Sequence, residues 1–315
     1  MMIRRQDLWL KQYHSRRYME HLTDTELEDR FRDIFVNFLS LTTDAKIGLV
    51  GLSEGGARWG ELFSHVMEEY ALRCQSIPRL DMREGFASRI GVPDPRSPLA
   101  EKAAAAVREK NLHAGSYLVK YGKRSFLQSA VESGRIRISP ASSYTDASLN
   151  HAVRDNELEF TITPNPREAT LHIFSGKDGH YKGSGKPRRL SMTTRSKTDY
   201  YVYCLSSSLS PRLFLDFEAD ACLVIADPDD FVERVLCGLE AQCPDWSGVG
   251  MAVSYIDPLL CERRDIDVFN SKHFRYSYQK EFRLTWVPET PATSIDHVSL
   301  EIGSLKDSCL LISLG

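Results

Sequence analysis

Hydrophobic and polar positions follow two different periods along this chain. Before residue 110, apolar residues recur three and four positions apart, which predicts amphipathic helices near 24–38, 57–73 and 99–110. The stretch from Thr23 to Glu26 fits a capping box that starts the first of them. After residue 115, short alternating runs dominate and predict strands. We therefore predict an α+β protein, with an N-terminal helical region followed by a mostly antiparallel two-sheet domain.

The second region is predicted to contain many short strands and few helices. A helix is predicted over 124–133, with Gly134 as its C-cap, and another over 229–239. The predicted strands lie at 116–121, 135–138, 158–163, 170–174, 189–194, 200–205, 214–217, 221–225, 251–255, 279–287, 298–302 and 309–314. A cluster of prolines and glycines over 77–98 predicts a linker, which divides the chain into domains 1–98 and 99–315.

One predicted strand, 275–286, carries an unusual polar face. At a period of two, its aromatic and apolar residues share one face and three polar residues share the other. The apolar face carries Tyr276, Tyr278, Phe282, Leu284 and Trp286, and the polar face carries Gln279, Glu281 and Arg283. The polar face is either the exposed side of a half-buried sheet or the floor of a polar site. Taken alone, the pattern favours the first interpretation.

Composition and charge restrict the partners. The 315 residues are 42% hydrophobic and 26% charged, with a formal net charge of -3, which is typical of a soluble globular protein. Nucleic acid or an acidic membrane would therefore have to bind a local patch. The glycine-rich loop 177–197 is the candidate, because its cations and its interleaved His180 and Tyr181 suit a phosphate backbone and a stacked base, although a solvated surface loop has the same composition. Its cations are Lys177, Lys182, Lys186, Arg188, Arg189, Arg195 and Lys197.

Targeting and metal-binding signals are weak. No apolar run approaches the roughly 18 residues of a membrane helix, and the first residues lack the apolar core of a signal peptide, so we predict a cytoplasmic protein. The seven cysteines are scattered without a Cys-x-x-Cys pair, which predicts neither a disulfide framework nor a zinc site.

A possible nucleophile elbow lies at Gly51-Leu52-Ser53-Glu54-Gly55, after a short apolar run and before a helix. Asp227 with His273 or His297 would complete a serine hydrolase triad in the order of that class. Only 45 residues, mostly helical by pattern, precede the run, so the other strands of a hydrolase sheet have no source. A helix start bracketed by glycines fits the stretch better.

Four landmarks in the second region follow a recognisable order. A strand ends at Lys120-Tyr121, a helix and Gly134 lead into a second strand, a middle strand ends at Ser206, and a late strand carries Gln279-Lys280-Glu281. This order resembles the ADP-ribosyltransferase fold over about 116–290. It is similar to the DNA-modifying toxin branch and to a family of uncharacterised bacterial proteins with a Tyr-x-x-Glu-Tyr-Arg-like ending. The first strand lacks the His that many members carry there.

The resemblance implies an NAD-dependent mono-ADP-ribosyltransferase, a bacterial toxin or phage-defence effector that modifies nucleic acid or protein. Glu281 would stabilise the positive charge that builds on the ribose when the nicotinamide bond breaks, and Gln279 would orient the acceptor. The resemblance leaves open a neutralising protein partner. A non-catalytic binding module is the remaining alternative.

The other implied site residues would bind NAD. Ser206 would hold the strand of Glu281 or contact the nicotinamide ribose, and Tyr121 would stack on or hydrogen-bond the dinucleotide. Lys120 or Arg283 would neutralise its phosphates. Tyr144 would stack on nicotinamide.

Overall fold

The computed structural model describes residues 4–51, 55–78, 96–110 and 115–315. Its α-helices are α1 (Arg5–Ser15), α2 (Asp24–Phe38), α3 (Gly56–Leu72), α4 (Pro98–Arg108), α5 (Arg124–Ser133), α6 (Pro211–Asp216) and α7 (Pro228–Gln242). Short 3-10 helices cover Ala141–Thr145, Arg263–Asp265 and Phe274–Gln279. Within the described residues, no helix combines the length and the apolar character needed to cross a bilayer.

The strands are short and lie mostly after residue 115. In chain order they are β1 (Leu39–Leu41), β2 (Ile47–Leu49), β3 (Leu118–Gly122), β4 (Arg135–Pro140), β5 (Glu159–Ile162), β6 (Leu171–Phe174), β7 (Tyr181–Gly185), β8 (Met192–Arg195), β9 (Tyr201–Ser206), β10 (Ala221–Ile225), β11 (Trp246–Ala252), β12 (Ser254–Ile256), β13 (Ser271–His273), β14 (Glu281–Pro288), β15 (Val298–Glu301) and β16 (Cys309–Ser313).

A central antiparallel sheet organises the fold. Its strands lie in the order β11, β14, β9, β3, β10 and β16, and β4 joins it by pairing with both β9 and β15. Smaller two-stranded ribbons surround this sheet, among which only β12 and β13 run parallel. The predicted α+β class, with helices before a mostly antiparallel sheet region, is confirmed.

The central sheet forks at β9. At its start, β9 pairs with β4 through Tyr201 and Val202, whereas at its end Ser206 pairs with Val119 of β3. Between these two contacts the carbonyl oxygen of Cys204 accepts a hydrogen bond from Lys120 Nζ at 2.8 Å. The side chain of Lys120, from β3, therefore bonds to the backbone of β9 at the point where β3 and β4 diverge. The site described below lies at this gap between β3 and β4.

Both faces of the central sheet are covered. On one face, Tyr203, Leu284 and Trp286 pack with residues of α5 and α7. On the other, Val119 and Tyr121 pack with residues of α4 and α6. Since α5 and α6 lie in the second region, helices as well as strands build its core.

The N-terminal helices share a core with the second region. Tyr13, Phe31 and Leu62 of α1 to α3 form one cluster with Leu259 and Phe274. Arg30 and Asp257 form a buried ion pair at 2.8 Å across the same contact. The predicted boundary at residue 98 remains a prediction, and most of the predicted linker, 79–95, lies outside the described residues.

Local signals identified most elements, and the errors have local causes. The capping box is present, since Thr23 accepts from the backbone of Glu26 and Glu26 reaches back to Thr23. The predicted strand at 214–217 is wrong, because Pro211 begins α6 and a short apolar run does not distinguish strand from helix. The helix α1 and the strands β1, β2, β7 and β13 were not predicted. The predicted strand 251–255 spans the end of β11 and the start of β12.

Candidate functional site

The strand predicted to carry the site begins later than its sequence pattern indicates. Phe274–Gln279 forms a 3-10 helix, Lys280 adopts a left-handed conformation with φ 44°, and β14 starts at Glu281. Tyr276 and Tyr278 therefore do not share a strand face with Phe282, and that prediction is wrong.

A tertiary contact explains the 3-10 helix. The side chain of Asn37, in α2, donates from Nδ2 to the carbonyl of Arg275 at 2.8 Å and accepts from the backbone N–H of Tyr278 at 2.9 Å. One buried amide thus bridges the two ends of the turn before Glu281. The local sequence pattern favours a strand over these residues, but the tertiary contact with α2 stabilises a 3-10 helix instead.

From Glu281 onward the predicted alternation holds. Glu281 and Arg283 lie on one face, while Leu284 and Trp286 point into the main core. Glu281 is 5% exposed and Arg283 is fully buried. The interpretation of an exposed polar face is therefore wrong, and the polar face is buried.

Four charged side chains meet on that face. Glu281 Oε1 contacts Arg283 Nε at 2.9 Å, and Glu281 Oε2 contacts Lys272 Nζ at 2.8 Å. The carboxylate of Glu157 lies 2.9 Å from Arg283 and 3.6 Å from Lys272. Two carboxylates and two cations therefore form a cluster with no net charge, as buried charges require.

Sequence reasoning missed Lys272 and Glu157. Lys272 lies on the three-residue strand β13, and Glu157 lies two residues before β5. Neither segment has a periodic pattern that would mark an inward charge, so only the tertiary contacts identify these residues.

The charge cluster keeps Glu281 ionised. Burial by itself raises the pKa of Glu281, but Arg283 and Lys272 hold that pKa well below the usual range. Burial likewise lowers the pKa of Lys272, and Glu281 and Glu157 raise it well above its ordinary value. At neutral pH, Glu281 is therefore a buried carboxylate that carries its charge.

A cavity of about 200 Å³ opens onto this carboxylate. We call it the carboxylate cavity, because Glu281 and Glu157 line it. Six of the seven predicted site residues lie in its wall: Lys120, Tyr121, Tyr144, Ser206, Gln279 and Glu281. The seventh, Arg283, is not in the wall, so it supports Glu281 and is not positioned to neutralise a phosphate.

Hydrogen bonds fix the wall beside Glu281. Ser206 Oγ donates to the carbonyl of Gln279 at 2.7 Å, and Gln279 Nε2 donates to the carbonyl of Ala152 at 2.7 Å. The backbone N–H of Glu281 donates to the hydroxyl of Tyr255 at 2.8 Å. Because Gln279 is 2% exposed and held through its nitrogen, its side-chain oxygen is the atom left to accept a bond in the cavity.

Two predicted ligand contacts differ in their availability. The hydroxyl of Tyr121 donates to the carbonyl of Ser208 and accepts from the N–H of Ser210, both at 2.9 Å, so the hydroxyl fixes that loop, while stacking of the ring on a dinucleotide stays a prediction. Tyr144 is partly buried, and burial raises its pKa well above the ordinary value, which keeps it protonated.

Lys120 is a cation without a carboxylate partner. Its Nζ bonds to the carbonyl of Cys204 and lies 4.1 Å from the centre of the Tyr203 ring. Among the described residues, no carboxylate lies within ion-pair distance of it. Burial lowers the pKa of Lys120, and an anion would compensate the charge.

A second cavity, of about 380 Å³, shares Lys120 and Tyr121 with the first. We call it the basic cleft, since its charged lining consists of Lys120, Lys123, Arg135 and Arg137, with no carboxylate in the described wall. Phe126 lies in the same wall and is 74% exposed. The fork of the sheet therefore separates a cavity that contains both carboxylates of the charge cluster from a cleft whose charged residues are all cations.

The hydrolase alternative has little support in the described part of the chain. Leu52, Ser53 and Glu54 lie outside the described residues. The preceding strand, β2, pairs only with β1 in a two-stranded ribbon. Asp227 caps α7, His273 caps the 3-10 helix at 274–279, and His297 Nδ1 lies 3.2 Å from Ser139 Oγ, so all three candidate partners have other contacts.

The basic loop 177–197 is partly strand. It contains β7 and β8, which pair with β6 and β5 respectively. Arg189 pairs with Glu26 and Arg195 pairs with Glu159, so these two arginines are engaged within the chain.

Comparison of the chain with protein-family models, with curated proteins and with solved structures finds no match. Within the described residues, no group of three or more His, Cys, Asp or Glu side chains is placed to hold a metal ion.

Proposed function

We propose that this protein is an NAD-dependent mono-ADP-ribosyltransferase. The observation that carries the proposal is the ionised, buried Glu281 in the wall of a cavity that shares Lys120 with a basic cleft. NAD has the complementary arrangement, with a cationic nicotinamide ribose at one end and an anionic pyrophosphate next to it.

The carboxylate cavity suits the reacting end of NAD. At about 200 Å³ it is smaller than the roughly 300–1,000 Å³ of pockets that enclose whole ligands. Only one end of a dinucleotide would enter it, and Tyr144 is positioned to pack on a flat ring there. The remainder would extend past Lys120 into the basic cleft, where cations face the pyrophosphate and Phe126 offers a surface for adenine.

The proposed reaction breaks one bond and forms another. The bond between nicotinamide and the ribose C1′ breaks, its electron pair leaves with neutral nicotinamide, and positive charge develops on the ribose. Glu281 stabilises that charge more in the transition state than in the ground state. An acceptor oxygen or nitrogen, oriented by the side-chain oxygen of Gln279, then bonds to C1′ and loses its proton to solvent.

The supporting cluster has a defined role in this scheme. Arg283 and Lys272 keep Glu281 ionised, so that it is charged before NAD binds. Ser206 positions the carbonyl of Gln279 and with it the turn into β14. A toxin or phage-defence role, with a nucleic-acid or protein acceptor and a neutralising protein partner, belongs to the same proposal.

Release of nicotinamide from labelled NAD tests the proposal. The wild-type protein is incubated with NAD alone and with separate pools of RNA, DNA and protein, and we expect release and labelling of one pool. Glu281→Gln keeps the shape of the side chain but not its charge, so release per folded molecule, with the folded fraction measured by urea denaturation, should fall at least about 100-fold. Release by Glu281→Gln at the wild-type rate, or no release with any pool, would overturn the proposal. Binding of NAD without release would instead indicate a binding module.

A further inference from the structure

The β6–β7 hairpin projects from the rest of the protein with exposed aromatic side chains. Within the described residues, the strands β6 and β7 pair only with each other, and every residue of β6 is exposed. Leu171, Ile173, Phe174 and Tyr181 are between 46% and 59% exposed. An isolated two-stranded ribbon is marginally stable in water, and exposed apolar side chains on it mark an interaction surface.

The two faces of this hairpin differ. Phe174 and Tyr181 are paired across the strands with ring centres 5.7 Å apart, and His172 lies 6.1 Å from Tyr181, so three rings form one face. On the other face, Leu171 and Ile173 lie opposite Gly185 and Gly183, which have no side chains. We call the ring-bearing side the aromatic face.

The segment that contains the hairpin is strongly positive. Between residues 170 and 188 it carries four cations and one acid, Asp178, whereas the whole chain carries a net charge of -3. Within the described residues none of the four pairs with a carboxylate. The four are Lys177, Lys182, Lys186 and Arg188.

The base of the hairpin is tied to the N-terminal helices. Arg16 contacts Glu168 at 2.7 Å, and further ion pairs join Arg167 to Glu20 and Arg189 to Glu26. The arm is therefore anchored at its base while its tip stays free.

We infer that the β6–β7 hairpin is a binding arm for single-stranded nucleic acid. Exposed rings stack on bases of any sequence, and unpaired lysines and arginines neutralise the phosphates between them. As the arm that delivers the acceptor, it rests on the proposed transferase activity, but its binding does not require NAD. A membrane surface fits less well, because the exposed rings and the exposed aliphatic side chains lie on opposite faces of the hairpin, so neither face alone would insert all of them.

Fluorescence anisotropy with labelled 20-nucleotide single-stranded RNA and DNA, without NAD, tests the arm. We expect the double variant Phe174→Ala/Tyr181→Ala to weaken binding at least about fivefold. The matched exchange Phe174→Tyr/Tyr181→Phe keeps both rings and should bind like the wild type. Lys177→Gln/Lys182→Gln should reduce the slope of log affinity against log salt by about 1.4, since each phosphate contact contributes about 0.7.

Other outcomes would overturn the inference. These are absence of binding at low salt, equal binding by the alanine variant, or binding to anionic phosphatidylserine vesicles that is lost in Leu171→Ser/Ile173→Ser. Because the hairpin lies outside the core clusters, urea denaturation should give the same midpoint for all these variants. Glu281→Gln should bind the oligonucleotide like the wild type. A loss of nicotinamide release with intact oligonucleotide binding therefore separates failure of the catalytic proposal from failure of this one.

Discussion

Glu69 and Glu281 are both buried carboxylates that hold two cations, yet only one of them faces a cavity. Glu69, in α3, is fully buried and contacts Arg17 Nε at 2.8 Å and Arg73 Nε at 2.6 Å. The hydroxyl of Tyr13 donates to it as well. Its oxygens are therefore occupied by donors from α1, the following turn and the end of α3, and it joins these segments together.

Glu281 has an electrostatic environment similar to that of Glu69, but a ligand in a cavity can reach it. Burial raises the pKa of each carboxylate, and the neighbouring cations bring both pKa values below the usual range. Glu281, however, lies in the wall of the carboxylate cavity with Gln279 and Ser206, and Glu69 lines none of the cavities described above. A lowered pKa thus describes an ion cluster in both places, and the cavity is what distinguishes a candidate site.

Among variants away from the cavity, the largest expected effect on stability comes from Glu69. Glu69→Gln removes the buried charge that the partly exposed Arg17 and Arg73 share, so the free energy of unfolding should fall by about 1.5–3 kcal/mol. Urea denaturation measures this, and nicotinamide release per folded molecule should not change. The neighbouring Glu68→Gln, which loses only a partly exposed contact with His14, should cost less than about 1 kcal/mol. Loss of release by Glu69→Gln at unchanged stability would remove the distinction between the two carboxylates.

A substitution of Lys120 tests whether the carboxylate cavity binds NAD. Lys120→Gln removes the cation shared by the two cavities, so the KM for NAD should rise about tenfold or more while kcat changes less, because a phosphate contact acts in both ground and transition states. Lys306→Gln, at an exposed position, is the matched control. A fall in kcat with an unchanged KM would assign Lys120 to the chemical step instead.

The pH dependence of the proposed contact between Lys120 and NAD follows from the direction in which burial shifts the pKa of Lys120. Burial lowers the pKa of Lys120, so its charge is lost at a lower pH than in an ordinary lysine. As pH rises through that pKa, kcat/KM for NAD should fall in the wild type, and this fall should be absent in Lys120→Gln. Glu281 stays ionised over the same interval, because its pKa is lowered, and adds no limb to the profile.

Where local signals decide the structure, the sequence was sufficient. The unit β3–α5–β4 appears close to its predicted bounds, because Gly134 at φ 69° provides the left-handed C-cap that ends α5. A side chain at that position would meet the backbone of Gly303 at 2.0 Å, so the glycine is also required for packing. The α+β class follows from elements of this kind, and six of the seven site residues that the resemblance implied lie in the wall of the carboxylate cavity.

Where tertiary contacts decide, the sequence was not sufficient. The residues before Glu281 alternate as a strand does, but Asn37, more than 200 positions earlier, holds them in a 3-10 helix. Glu157 and Lys272 likewise acquire their meaning only from contact with Glu281 and Arg283. Contacts between residues so far apart in the sequence leave no local pattern, so Glu157 and Lys272 could not be predicted as members of the charge cluster.

Asp33 extends the comparison to a carboxylate without close cations. It lies in α2 one turn before Asn37, and among the described residues no cation lies within ion-pair distance of it. Burial raises its pKa from 3.8 to about 7, against the weaker opposing influence of Arg275 and Arg30. Unlike Glu69 and Glu281, it is therefore held partly protonated near neutral pH.

The smallest predicted effect follows from this raised pKa. Between about pH 4, near the unfolded pKa, and pH 7, the folded state binds more protons at Asp33 than the unfolded state, so its contribution to stability declines as pH rises. Asp33→Asn removes that decline and should be more stable than the wild type by at least about 1 kcal/mol at pH 8, with little difference at pH 4. Thermal unfolding across this range measures it, and Asp29→Asn, at a site 65% exposed, is the control. Equal pH profiles for Asp33→Asn and the wild type would show that the carboxyl of Asp33 is not desolvated when α2 packs in the folded protein. They would also show that burial alone does not distinguish Asp33 from the other acids near the 3-10 helix at 274–279.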